Sequence, residues 1–160
     1  MDFDKRLERA IDRGKQTRDV VGRKLAEQAL SEEDLKNLHS KCRLDLSEHI
    51  EHCLQKFAEH FPGFRYQSIV NEEGWGAKIS RDDFFGRQGE VNSLYSRLEM
   101  VIKPLGSVQI VELTAKGTVH NKEIFNRKHF QFLNQVDVDS FREMIDLWSL
   151  EYAEQFAAKM

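Results

Sequence analysis

Proline and cysteine are both scarce: Pro62, Pro104, Cys42 and Cys53 are the only four in 160 residues. So little proline excludes collagen-like and proline-rich recognition sequences, and 40% hydrophobic with 32% charged residues is a globular composition, not a disordered one. Two cysteines cannot make a disulfide framework. Cys42 and Cys53 lie on one expected helix, where eleven residues at ~1.5 Å each hold them roughly 16 Å apart, well beyond disulfide reach. Reduced thiols, with no Asn-x-Ser/Thr acceptor anywhere, lead to the expectation of a cytoplasmic compartment.

Long apolar runs are missing as well. No window approaches the ~18 uninterrupted apolar residues of a membrane helix, and Met1-Asp2-Phe3-Asp4-Lys5-Arg6 lacks the apolar core of a secretory signal. A one-signed charge field is also absent: the net charge is −3, and the basic and acidic counts are 12 and 13 over residues 1–60, 10 and 8 over 61–135, and 2 and 6 over 136–160. A surplus of two basic residues in the middle of the chain is too small for a nucleic-acid footprint, so nucleic acid is disfavoured as a partner.

What is present is a change of rhythm. Phe3, Leu7, Ile11, Gly14, Val21 and Leu25 form a narrow helical stripe, interrupted by Arg18. Ser31, followed by Glu32, Glu33 and Asp34, has the composition of a helix start, which predicts a break there and a helical hairpin over residues 1–62. An unbroken helix from residue 2 to 60 would run ~88 Å, against a radius of gyration of ~15 Å for a compact domain of this size. The second helix carries Leu35, Leu38, Cys42, Leu46, Ile50, Cys53 and Phe57 on one face and ends at Phe61-Pro62-Gly63.

From Phe64 the period shortens to two. Strands are expected over Phe64 to Val70, Trp75 to Ser80, Leu94 to Lys103, Val108 to Ala115 and Thr118 to Phe130, within a sheet region of residues 64–132. Turns are placed at Asn71 to Gly74, Pro104 to Gly106 and Lys116-Gly117, and residues 81–93 read as a loop. Such short connections can only build an antiparallel meander of about five strands. A last helix over 137–158 presents Phe141, Ile145, Trp148, Tyr152 and Phe156 to the sheet. The expected fold is therefore one α+β domain spanning residues 1–160: an N-terminal helical hairpin, an antiparallel meander, and a C-terminal helix packed on the sheet.

No assembled catalytic motif occurs: there is no phosphate loop, no dinucleotide fingerprint, no Gly-x-Ser-x-Gly elbow and no His-Glu-x-x-His pair, and no cofactor is expected. Glu72-Glu73 and Asp82-Asp83 read as solvated turn carboxylates, and the glycines of Gly74-Trp75-Gly76 as allowing positive-φ turn backbone. Three weaker constellations remain. His49 and Cys53, four apart on a helix, project to the same side and could both ligate a metal such as zinc, the other ligands coming from elsewhere in the chain. Phe84 and Phe85, flanked by Arg81 and Arg87, form an aromatic anchor with an arginine rim suited to a protein partner. Trp75, Met100, Trp148 and Tyr152 could line a small-ligand pocket between the sheet and the last helix, although all four also suit a core.

Arg65, Lys78, Tyr95, Arg97, Lys103, Lys122 and Arg127 are read as outward-facing, but Glu99, Glu112 and Glu123 are interleaved with them, as in ordinary cross-strand pairing. The leading functional expectation is a non-enzymatic interaction or adaptor module that binds a protein partner or associates with itself. A small-ligand-binding protein or enzyme is the alternative.

Overall fold

A computed structural model describes residues 2–87 and 90–160, and the side chains of 2–22, 32–84 and 93–160. The chain divides into two compact units, Met1–Asn37 and Leu38–Met160. The class is α+β. Helix α1 spans Phe3–His60, strands β1 Arg65–Asn71, β2 Gly74–Arg87, β3 Glu90–Ile102, β4 Ile110–Val119 and β5 Lys122–Phe132 follow, and α2 covers Val138–Ala158 after a single 3-10 turn, Leu133–Gln135. The five strands form one antiparallel sheet in the order β1-β2-β3-β4-β5. Among the described residues no helix is long and apolar enough to cross a membrane.

The N-terminal region departs from the expected hairpin, because α1 continues through Ser31. A serine followed by acidic residues marks a helix start only where the preceding turn unravels. Leu25 to Leu38 contains neither glycine nor proline and is rich in Leu, Glu and Ala, among the strongest helix formers, while Ser and Asp cost only a few tenths of a kcal/mol each inside a helix. Compactness requires a break only if all sixty residues pack in one unit, whereas residues Met1–Asn37 cluster by themselves.

In the second unit the core lies on one face of the sheet. Ala77, Ile79, Leu98, Met100, Ile102, Leu113 and Ala115 share that face by register and are buried. They are covered by Cys42, Leu46, Ile50, Leu54 and Phe57 of α1 and by Phe141, Ile145, Tyr152 and Phe156 of α2. The two helices run in the same direction, since Asp45 pairs with Arg142 and, four residues on along each helix, His49 pairs with Asp146. Asp137 caps α2 by accepting from the Ser140 backbone N–H at 3.4 Å. At the end of α1, the rings of Phe57, Phe61, Phe64, Tyr152 and Phe156 lie with centroids 4.6 to 6.4 Å apart, mostly edge to face or stacked.

Two turn assignments shift. Residues 81–93, expected as a loop, are largely strand: the β2–β3 register continues from Arg81 opposite Ser96 to Arg87 opposite Glu90. A strand announces itself by alternation only where one face is buried, and Asp82, Phe84 and Ser93 are all exposed. The β4–β5 turn falls at His120-Asn121, both at positive φ (47° and 70°), and not at Lys116-Gly117. Asn121 holds this turn by accepting from the Tyr95 N–H at 2.8 Å and donating to the Ser93 carbonyl at 2.9 Å. Gly117 is instead a strand residue opposite Phe125, where a Cβ would stand 2.9 Å from the ring.

His39 is buried at 4% exposure, and its Nε2 has no hydrogen-bond partner among the described residues. Burial holds its pKa below the usual histidine value, with the Arg43 charge adding to the effect and a hydrogen bond to the Lys103 backbone opposing it. Burial lowers His129 in the same direction. The unfolded chain then takes up these protons before the folded one does. Stability is expected to be level above the unfolded value of about 6.5 and to fall as the pH drops from there toward the lower folded values. Chemical denaturation across that range, on the wild type and on His39→Leu, checks this: the variant should show the shallower slope, and equal slopes would refute the assignment to His39.

Candidate functional site

The most convergent polar cluster joins α1 to α2. His49 and Cys53 sit four residues apart on α1, on the flank of the stripe whose centre is Leu46, Ile50, Leu54 and Phe57, so both are half-buried. Asp146 follows the buried Ile145 on α2 and meets them. His49 Nε2 lies 2.8 Å from Asp146 Oδ1, Cys53 Sγ donates to the same oxygen at 3.3 Å, and Sγ stands 3.7 Å from His49 Nε2. Burial, reinforced by the hydrogen bond to Asp146 and by its charge, pushes the Cys53 thiol up to about 12.

This geometry argues against a cysteine nucleophile. A Cys–His–Asp relay needs the thiol on one imidazole nitrogen and the carboxylate on the other, so that the ring can pass a proton. Here thiol and carboxylate approach the same nitrogen, and the thiol is held protonated where a nucleophile would need to be lowered. Three donor atoms of different softness instead converge on one point. Beside them, between α1 and α2, lies a groove of about 640 Å³ lined by His52, Lys56, Phe57, His60, Phe61, Ser149, Leu150 and Ala153.

The structure thus joins His49 and Cys53, the expected metal pair, to a third residue that sequence reasoning did not reach. Asp146 was visible only as an acidic residue on the flank of the α2 stripe; that α2 lies parallel to α1 in this register is a tertiary fact. The nearby pair Arg142–Asp45, one turn earlier on both helices, sets the same register.

The other expected residues are dispersed. Arg81 is engaged within the fold: its Nε donates to Asp83 at 2.8 Å, its Nη1 to the Pro62 carbonyl at 3.0 Å, and its guanidinium lies 6.0 and 5.7 Å from the rings of Phe64 and Phe156. Phe84 is 75% exposed. The side chains of Phe85 and Arg87 lie outside the described residues. Met100 and Tyr152 are fully buried, Trp75 lies half-buried under Arg43 at 4.3 Å, and Trp148 is half-buried on α2. Arg127, expected on the outward face of the sheet, points to the helix side and pairs with Glu151, one of its two hydrogen bonds measuring 3.0 Å. Its position opposite Ala115 places it on the core face, an assignment that depends on a register set by the His120-Asn121 turn.

The first unit offers a site of another kind. Phe3, Leu7, Ile11 and Val21 keep the expected helical stripe and are 72, 46, 47 and 51% exposed. Leu25 lies outside the residues with described side chains. The chain matches no protein-family model, and no curated protein or solved structure is similar to it. A functional reading therefore rests on these two surfaces.

Proposed function

We propose that this protein is an interaction module that associates with a second copy of itself through the Phe3–Val21 stretch of α1. One observation carries the reading: a regular apolar stripe whose side chains are about half exposed or more. Helices are marginal in water without a packed face, and contiguous exposed apolar surface marks contact sites. Charge supports a second, antiparallel copy as the occupant. Between Lys5 and Arg18 lie six basic residues (Lys5, Arg6, Arg9, Arg13, Lys15, Arg18) and two acidic ones (Glu8, Asp12). Between Leu25 and Asn37 four acidic residues (Glu27, Glu32, Glu33, Asp34) face one basic, Lys36. An antiparallel pair centred near Val21 sets each copy's basic segment against the other's acidic one, so that the Phe3–Val21 stripe of one copy lies along residues 21–39 of the other, and parallel pairing would oppose like charges.

Light scattering on the full chain is expected to return twice the chain mass, and Leu7→Glu with Ile11→Glu to return a single chain with unchanged circular dichroism in the strand region. Added salt should weaken the association. A single-chain mass for the unmodified protein at working concentration would reject the reading.

The groove beside His49, Cys53 and Asp146 favours a second reading, a small-ligand binder. Its walls are α1 and α2, in place of the sheet and α2.

A further inference from the structure

From the convergence of His49 Nε2, Cys53 Sγ and Asp146 Oδ1 we infer that the second unit holds a divalent transition-metal site of the zinc class, with three protein ligands and a fourth position open to the groove. The inference stands apart from self-association, and the failure of either leaves the other untouched.

The donor set comes first. Imidazole, thiolate and carboxylate are the three side-chain types that bind zinc, at about 2.0–2.1, 2.3 and 2.0–2.2 Å. Tetrahedral placement at those lengths sets the ligand atoms about 3.3–3.6 Å apart. The cluster measures 3.7 Å from sulfur to nitrogen, 3.3 Å from sulfur to oxygen and 2.8 Å from nitrogen to oxygen. The His49–Asp146 pair must open by about half an ångström and the Cys53–Asp146 pair by about two or three tenths, and both are now closed by hydrogen bonds a metal would replace. Among the described residues this is the one group of three such side chains whose ligand atoms come so close, all within 4.8 Å of one another.

Electrostatics points the same way. A carboxylate, a thiol that could ionise and an imidazole share one small space. A divalent ion would displace the Cys53 thiol proton, so that metal uptake releases a proton and the two anionic ligands, thiolate and carboxylate, balance the ion's charge. Sites with three protein ligands leave room for water or a donor atom of a small molecule. Here that position looks onto a groove with apolar walls, Phe57, Phe61 and Leu150, and with His52 and Lys56 at its mouth.

The test titrates the full-length chain with cobalt(II), then with zinc. One equivalent of cobalt should produce the near-ultraviolet thiolate-to-cobalt charge-transfer band, which zinc then abolishes. Cys53→Ser should remove the band, and His49→Ala and Asp146→Ala should each weaken cobalt binding by at least about tenfold, the scale seen even for groups that merely orient a ligand. Cys42→Ala, the other cysteine of the same helix, should leave the band in place. A readout free of variants is alkylation of the unmodified chain: zinc should slow labelling of Cys53 and leave that of Cys42 unchanged. No band with the unmodified chain, a band that survives Cys53→Ser, or Cys53 labelling indifferent to zinc would each overturn the site.

Discussion

Tyr152→Ala is expected to destabilise the second unit by about 3–5 kcal/mol, the range for removing a large aromatic ring from a core. Tyr152 is fully buried, with ring centroids 5.5 Å from Phe57 and 6.4 Å from both Phe125 and Phe156, and its hydroxyl donates to the Thr118 carbonyl at 2.7 Å. Burial raises its pKa first, the nearby Tyr95 hydroxyl adding to the effect, so it stays a neutral donor at any ordinary pH. Tyr152→Phe keeps the ring and loses one hydrogen bond, at a cost of about 1 kcal/mol. Denaturant titration of both variants separates the two contributions. It also bears on Tyr152 as a ligand contact: a side chain lining an open pocket would lose binding on truncation and little stability, so an alanine variant within about 1 kcal/mol of wild type would remove Tyr152 from the core.

Gly76→Ala should be at least as damaging, at the upper end of overpacking costs, about 3 kcal/mol or more. Gly76 sits opposite Val101 in the β2–β3 ladder, and a Cβ there would stand 1.9 Å from the Met100 carbonyl oxygen and 2.9 Å from its carbon. Both obstacles are backbone, so relief requires the central strands to part. The reason differs from the positive-φ turn read from Gly74-Trp75-Gly76. Only Gly74 of that pair has positive φ, at 142°, and Gly76 is there for close approach. Gly106→Ala is the control, with nothing within 4 Å of its would-be Cβ, and should change stability by less than about 0.5 kcal/mol. Equal thermal midpoints for the two variants would contradict the β2–β3 packing described here.

These two cases show where sequence rhythm is informative. The α2 stripe Phe141, Ile145, Tyr152 and Phe156 is buried as its spacing requires, with Ser149 buried beside it through a hydroxyl bonded to the Ile145 carbonyl at 2.7 Å and Trp148 at the margin. The β3 alternation Leu98, Met100 and Ile102 faces the core for the same reason: burial on one face leaves a period in the chain. Where neither face is buried the period is silent, as at the exposed Asp82, Phe84 and Ser93 of β2 and β3. The His120-Asn121 turn lacked the glycine that usually signals positive φ, and so Gly117 drew the turn to itself.

The site followed the same division. Helical spacing alone placed His49 and Cys53 on one side of α1, because residues four apart lie one above the other. That Asp146 completes the cluster, and that Arg81, Met100 and Tyr152 are occupied with holding the fold together, follows from the parallel docking of α2 beside α1 and from the strand register. Local periodicity is written residue by residue because each side chain's face depends on its near neighbours. The meeting of residues 97 positions apart depends on the packing of whole elements, to which every core side chain contributes and which no short stretch records.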